Sequence, residues 1–284
     1  TDDRYNFALV NDERIDGKAL EVACGDCFTA VITSDSVNNL YTCGYNDYGQ
    51  LGTNDTSSYD TFQNVAGGVN GKKVVKVRCG PQHLVVLTNE DSNNIYTCGK
   101  NEDGNLGFAS DCDEHTTLEQ RTIDGKHVLD IACSEYATFA LVDKVVDNLY
   151  VTGYDGDYGI FGNNEWDITY ESFHEITNNF KIRSISITPH STSTFVVQSN
   201  KIWATGSNCH GELSTGNYNS LDNYTQILFD GVVSKVVTGD GITLLLTTEA
   251  TNNFYICGAG DNDQNSLGIV NTTVYNAVLS KHVL

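Results

Sequence analysis

Gly44-Tyr45-Asn46-Asp47-Tyr48-Gly49-Gln50-Leu51-Gly52 returns as Gly99-Lys100-Asn101-Glu102-Asp103-Gly104-Asn105-Leu106-Gly107. It returns three more times in looser form. Gly153 is followed by Gly159-Ile160-Phe161-Gly162, Gly206 by Gly211-Glu212-Leu213-Ser214, and Gly258 by Asn265-Ser266-Leu267-Gly268. The leading glycines lie 55, 54, 53 and 52 residues apart. An apolar and aromatic segment precedes each of them: Leu40-Tyr41-Thr42-Cys43, Ile95-Tyr96-Thr97-Cys98, Leu149-Tyr150-Val151-Thr152, Ile202-Trp203-Ala204-Thr205 and Phe254-Tyr255-Ile256-Cys257. Further upstream stand Val22-Ala23-Cys24-Gly25, Val77-Arg78-Cys79-Gly80 and Ile131-Ala132-Cys133-Ser134, which decay to Ile187-Thr188-Pro189 and Val237-Thr238-Gly239. Three marks in fixed order, five times over, are the sign of a repeat architecture.

The second unit shows what each repeat contains. Val74 to Cys79 alternates and is β-branched, Leu84 to Thr88 is continuously apolar, Asn94 to Cys98 carries Ile and Tyr, and Thr116 to Ile123 is half polar. These patterns predict four short strands and no helix of useful length. Four strands in about 53 residues, repeated, predict an all-β propeller of four-stranded blades. A lone blade leaves both faces wet, so blades must stack to build a core. The units are expected at about 18–71, 72–125, 126–178, 179–231 and 232–284, within one domain covering 1–284. Residues 1–17 read as the tail of a preceding unit or a closing strand, since Ala8 to Gly17 is like Arg121 to Gly125. Asn70-Gly71, Asp124-Gly125 and Asp230-Gly231 join the units and suit two-residue hairpins. The last strand of one unit is therefore expected to fold back on the first strand of the next. The Gly-rich marks, with Gly44, Gly49, Gly52, Gly99, Gly104, Gly107, Gly153, Gly159, Gly162, Gly206, Gly211, Gly258 and Gly268 as the structural glycines, are expected at a crowded inner rim.

These marks resemble the repeat of the regulator of chromosome condensation family. That pattern is Cys-Gly after an apolar strand, an aromatic strand ending in Gly, then Asn-x-x-Gly-Gln-Leu-Gly. The resemblance covers about residues 18 to 284. It departs where the family has His after Cys-Gly: His83 fits, but Phe28, Ala137 and Ile242 stand elsewhere. The resemblance implies a propeller that is usually seven-bladed, against five units counted. It also implies protein partners, among them small GTPases, but no motif carries the family's exchange residues onto this chain.

The 284 residues include 37 Asp and Glu against 16 Lys and Arg, a net charge of −21. Such a surface repels phosphate backbones, and no basic patch offsets it, so nucleic acid is not an expected partner. No apolar run is long enough to span a bilayer. The chain contains no Met, so it is read as processed or as part of something longer. Nine cysteines, an odd number, argue against a complete disulfide framework and for a cytoplasmic or other reducing compartment. Three Asn-x-Thr sequons, at Asn54, Asn223 and Asn271, keep a secreted chain in view.

Cys24-x-x-Cys27 lacks a second ligand pair, and Cys24, Cys79 and Cys133 share one repeat position while Cys43, Cys98 and Cys257 share another. Recurrence at one position reads as packing. Asp111 to His115 reads as a solvated acidic loop, and Asp261 to Asn265 lacks the Gly and Glu of an EF-hand. No metal, cofactor or catalytic residue is expected. The functional expectation is a non-catalytic protein-interaction platform, one domain of a larger scaffold or cytoskeletal assembly, for a partner with a basic or mixed surface. Its contact residues are expected in equivalent loops: Asp47, Tyr48, Glu102, Asp103, Asp157, Tyr158, His210 and Asp263. The alternatives are guanine-nucleotide exchange on a small GTPase and a secreted inhibitor or adhesive module.

Overall fold

The computed structural model describes residues 10, 13–15, 17–65, 67–249 and 253–257, and the backbone of 258 and 276–282. Among the described residues twenty strands form five four-stranded antiparallel sheets, and the sheets are the blades of a β-propeller. Blade 1 holds β1 Ala19–Cys24, β2 Phe28–Thr33, β3 Leu40–Gly44 and β4 Tyr59–Asn64. Blade 2 holds β5 Val74–Cys79, β6 His83–Thr88, β7 Ile95–Gly99 and β8 His115–Arg121. Blade 3 holds β9 Val128–Cys133, β10 Ala137–Val142, β11 Leu149–Tyr154 and β12 Thr169–Ile176. Blade 4 holds β13 Ser184–Ser186, β14 Ser193–Gln198, β15 Lys201–Gly206 and β16 Leu221–Ile227. Blade 5 holds β17 Val233–Gly239, β18 Ile242–Thr247, β19 Phe254–Gly258 and β20 Asn276–His282. The first strand of every blade lines a central channel of about 420 Å³.

The core lies between blades. Val77, Leu84 and Val86 of blade 2 pack on Phe28, Ala30 and Ile32 of blade 1. Ile131 and Ala140 of blade 3 meet Val85 and Leu87 of blade 2, and Phe139 and Leu141 then meet Ile187 and Val196 of blade 4. Phe195 and Val197 complete the series against Val236 and Leu245. Both faces of a strand such as β6, buried at all six positions, are thereby used. Inner strands are also tied by charge, with Arg78 on Glu21 and Lys76 on Asp130. At the remaining junction the pattern changes. Val22 occupies the place of Val77 on its strand, yet it is 57% exposed where Val77 is fully covered. Val22 faces a groove of about 400 Å³, lined also by Val10, Ile15, Val31 and Phe62.

Three expectations need correction. β4 and β5 belong to different sheets, so no hairpin joins one unit to the next. Asp124 and Gly125 do take positive φ, +50° and +68°, but the turn sends the chain from the outer edge of one blade to the channel strand of the next. Second, the Gly-rich loops are not at the inner rim. A Cβ on Gly49 would sit 2.6 Å from Thr116 Cα, and one on Gly104 would sit 3.0 Å from Glu171 Cα. Thr116 and Glu171 lie on the outer strands β8 and β12, so each loop is glycine-rich where it docks on the next blade's edge. Third, the recurring cysteines split. Cys79, Cys98, Cys133 and Cys257 are buried packing residues, and burial pushes the Cys133 and Cys257 thiols up to about 12. Cys24 is exposed, because its side of blade 1 is the open one. Residues 1–9, most of the N-terminal tail, and Gly268 lie outside the described residues.

His83 shows why the position after Cys-Gly takes a flat ring. A Cβ on Gly80 would fall 2.0 Å from His83 Cε1, and one on Gly25 would fall 2.1 Å from Phe28 Cε1. The ring lies on the glycine in both blades. Burial lowers the His83 pKa from 6.5 to about 4. A depressed imidazole contributes stability above its unfolded pKa and loses it as pH falls toward the folded value. His83→Phe, which reproduces blade 1, is therefore expected to flatten this dependence. Relative to wild type it should gain about 2 kcal/mol between pH 8 and pH 5. Urea melts at the two pH values measure the difference.

Candidate functional site

Strand direction places the β1–β2 turns and the β3–β4 loops at the same end of every blade. In blades 1 to 4 each β3–β4 loop is held from inside by one buried side chain. Asn46 Oδ1 accepts from Leu51 N at 2.9 Å, while its Nδ2 donates to the Asp55 and Ser57 carbonyls at 2.9 and 3.1 Å. Asn101 accepts from Leu106 N at 3.0 Å and donates to Ala109 O at 2.9 Å. Asn208 accepts from Leu213 N at 2.8 Å and donates to the Asn217 and Asn219 carbonyls. Leu51, Leu106, Phe161 and Leu213 then plug into the core. Blade 3 differs because its loop has one residue more, taken up by a short 3-10 turn at Gly156–Tyr158. Asp155 stands there in place of Asn and accepts from Ile168 N instead. Its other oxygen is buried without a partner, and burial raises its pKa to about 6.

On these rigid loops the candidate contact residues reach solvent. Asp47 is exposed and accepts from Tyr45 Oη at 2.6 Å. Lys100 Nζ lies 5.3 Å from the Tyr48 ring centre and 2.8 Å from Glu102. Asp157 and Tyr158 are exposed on the 3-10 turn, with Tyr154 Oη donating to Asp157 at 3.3 Å. Asp263 lies outside the described residues. Asp103 turns inward, into a cleft of about 210 Å³ between blades 2 and 3. Asp26, Lys100, Glu135 and Tyr136 line the same cleft, and burial raises the Asp103 pKa. The hydrogen bond to Glu135 holds the Tyr136 hydroxyl up at about 12.

Asp26, Glu135 and Tyr136 are functional candidates that the loop-centred reading missed. Their signal was present: each follows the Cys-Gly or Cys-Ser mark of its unit. Asp26 also meets His190 of blade 4 at 2.9 Å across the channel mouth.

The charge of this end is uneven. Asp26, Asp47, Glu102, Asp103, Glu135, Asp157 and Asp240 all belong to its turns and loops. Lys100 is their sole Lys or Arg among the described residues. The opposite end carries Lys18, Lys72, Lys73, Lys126, Lys144, Lys181 and Arg183 in its turns and blade connections, and these offset most of its carboxylates, among them Asp35, Glu90, Asp91, Asp124, Asp143, Asp147, Asp230 and Glu249. The −21 charge is thus polarised along the channel axis, which creates a directed field.

Other titratable clusters resolve differently. His115 places its ring nitrogens 3.0 Å from Asp111 and 3.8 Å from Glu119, while Cys112 stays exposed. The Asp261 to Asn265 segment lies outside the described residues. Cys209, His210 and Glu212 converge, with their ligand atoms all within 4.8 Å of one another. None of the nine cysteines forms a disulfide. Among the described residues no helix is long and apolar enough to cross a membrane.

Five repeated blades about a channel define a β-propeller of internally repeated units. Family models described as regulator of chromosome condensation (RCC1) repeat match residues 20–50 and 38–87. Over those residues the chain carries RCC1-like repeats. The Xenopus laevis serine/threonine-protein kinase Nek9 is 27% identical over 270 residues, which is 88% of this chain and 27% of that relative. The chain thus spans about a quarter of the length of that curated relative. Among solved structures, human WBSCR16 superposes with a TM-score of 0.77 at 21% identity, covering 94% of this chain and 67% of the other. Prp20p of Saccharomyces cerevisiae gives 0.57 at 15% identity, covering 93% and 76%. At these identities the structural likeness concerns the fold.

Proposed function

We propose that the chain is a non-catalytic protein-interaction platform whose β3–β4 end receives a partner with a basic or mixed surface. The observation that carries this reading is the charge polarity: at one end the carboxylates face a single lysine, whereas at the other the lysines offset most of the carboxylates. The cleft between blades 2 and 3 suits a protruding Lys or Arg side chain. Asp26, Asp103 and Glu135 supply charge there, and Tyr136 supplies a ring face. Prp20p, a propeller of like fold, is described by its binding properties to Gsp1p and histones, which supports a protein partner for a propeller of this kind. The free cysteines favour a reducing compartment.

The pair Asp47→Lys and Tyr48→Ala tests the face directly. Both side chains are on the loop surface, so the fold should hold, and affinity for a basic protein partner should fall by about tenfold or more. Unchanged binding by calorimetry would remove these loops from the interface.

Exchange of guanine nucleotide on a small GTPase is the second reading, supported by the likeness to a Gsp1p-binding propeller. Release of a fluorescent nucleotide from a panel of small GTPases separates the two. The platform reading expects no acceleration by the chain, and acceleration would replace it with exchange.

A further inference from the structure

We propose that Cys209, His210 and Glu212 form a zinc site on the β3–β4 loop of blade 4. Cys209 Sγ lies 3.3 Å from His210 Nδ1, and a Glu212 oxygen completes a triangle with no side above 4.8 Å. Zinc bonds of ~2.3 Å to sulfur and ~2.0 Å to nitrogen, at a tetrahedral angle, separate those two atoms by roughly 3.5 Å. The observed pair is therefore already at zinc spacing, and the carboxylate needs a shift of about 1 Å. A thiolate, an imidazole and a carboxylate are the donor types zinc takes, and water can fill the fourth position.

The carboxylate supplies an independent pointer. Glu212 is 1% exposed, yet its Oε1 has no hydrogen-bond partner; Oε2 accepts from His210 N at 2.9 Å. A buried carboxylate oxygen without a partner is costly unless something positive meets it. The equivalent positions in blades 1, 2 and 3 hold the neutral residues Gln50, Asn105 and Ile160. Gln50 makes the same backbone contact, accepting from Tyr48 N at 3.0 Å. The loop thus needs an acceptor here but not a charge, and a charge is what blade 4 alone of these four brings, beside the Cys-His pair. The next blade leaves room as well. Gly241, in the β17–β18 turn, carries no side chain where a Cβ would lie 3.1 Å from His210 Nδ1. Zinc would enter by displacing the thiol proton of Cys209 to solvent.

Two measurements decide the matter. In the wild-type chain, Zn²⁺ should slow iodoacetamide alkylation of Cys209 at least about tenfold, read by peptide mass spectrometry, while exposed Cys112 reacts unchanged. In a Cys24→Ser, Cys27→Ser, Cys112→Ser background, which removes the other exposed thiols, Co²⁺ should give a thiolate charge-transfer band at one equivalent. Cys209→Ser should abolish that band. Glu212→Gln copies the residue blade 1 already accommodates, so it should fold, and it should weaken Co²⁺ and Zn²⁺ binding about 10- to 100-fold. Equal Cys209 alkylation with and without Zn²⁺, a band that survives Cys209→Ser, or full affinity in Glu212→Gln would each overturn the assignment.

Discussion

Gly153→Ala is expected to destabilise the propeller by about 3 kcal/mol or more. Gly153 has φ +103°, a region closed to alanine without strain. Its missing Cβ is also spoken for: an atom there would lie 2.1 Å from Tyr136 O and 2.8 Å from Ala137 Cα. Both obstacles are backbone of the β1–β2-type turn in the same blade, so neither can swing aside. The same contact recurs at Gly44 with Cys27 O at 2.3 Å, at Gly99 with Gln82 O at 2.4 Å and at Gly206 with Thr192 O at 2.4 Å. In each case the strand register shifts at that glycine, which turns the chain into the functional loop. A melting temperature lowered by roughly 6–12 °C follows for a chain of this size. Gly239→Ala is the control, because its Cβ would meet nothing within 4 Å and its φ is not in the left-handed region. It should be neutral or slightly stabilising. Equal melting of the two variants would contradict the account of the closing glycines.

Asn94→Ala should cost a similar amount, about 3–4 kcal/mol, through a different mechanism. Asn94 is buried, donates to Val128 O at 2.9 Å and accepts from Val128 N at 2.8 Å. It thereby satisfies both backbone groups at the start of the next blade's channel strand. Alanine leaves a buried donor and a buried acceptor without partners and water without access. Asn39 does the same for Val74, and Asn148 for Ile182. In blade 4 the position is Lys201, and there Arg183 donates to Val233 O at 3.0 Å instead. Hydrogen exchange at the Val128 amide is the direct readout. It should accelerate sharply in Asn94→Ala, and more than the amides of blade 5. Uniform acceleration through the chain would show that Asn94 does not serve this junction.

Most of the fold could be read from short-range pattern. The alternation of Val74 to Cys79, the apolar run at Leu84 and the aromatic third strand each became a strand within a residue or two of its expected place. Recurrence supplied what one window could not, because five copies of a weak signal make a strong one. What failed was long-range geometry. Asp124-Gly125 carries the dihedral preference of a hairpin turn and takes positive φ, but whether the flanking strands pair depends on blade twist, which no local pattern encodes. The docking of Gly49 on Thr116 was hidden for the same reason, since the contact spans two repeats. Cys24 and Cys79 share a sequence position but differ in burial, because among the described residues a neighbouring blade packs over the second and not over the first.

The site was legible in part. The loops bearing Asp47, Glu102 and Asp157 could be placed from the repeat alone. Their charge polarity could not, because the lysines that balance them lie in connections whose end of the barrel is set by strand direction. Asp103 reads as one more loop acid, yet burial in the cleft beside Asp26 and Glu135 makes it different from Asp47. Cys209-His210-x-Glu212 was visible as residue types, but the closeness of Sγ and Nδ1 and the bare Oε1 are facts of packing.

The central claim is that one end of the propeller, and not its overall acidity, selects the partner. Charge reversal with a matched control tests it. Asp47→Lys with Asp157→Lys alters the β3–β4 end, and Asp91→Lys with Asp143→Lys makes the same net change at the other end. Affinity of each for a fluorescent Arg-rich peptide is then read by anisotropy at fixed ionic strength. The account predicts a loss of about tenfold or more for the first pair and less than about threefold for the second. Equal losses from the two pairs, or a larger loss from the second, would contradict it.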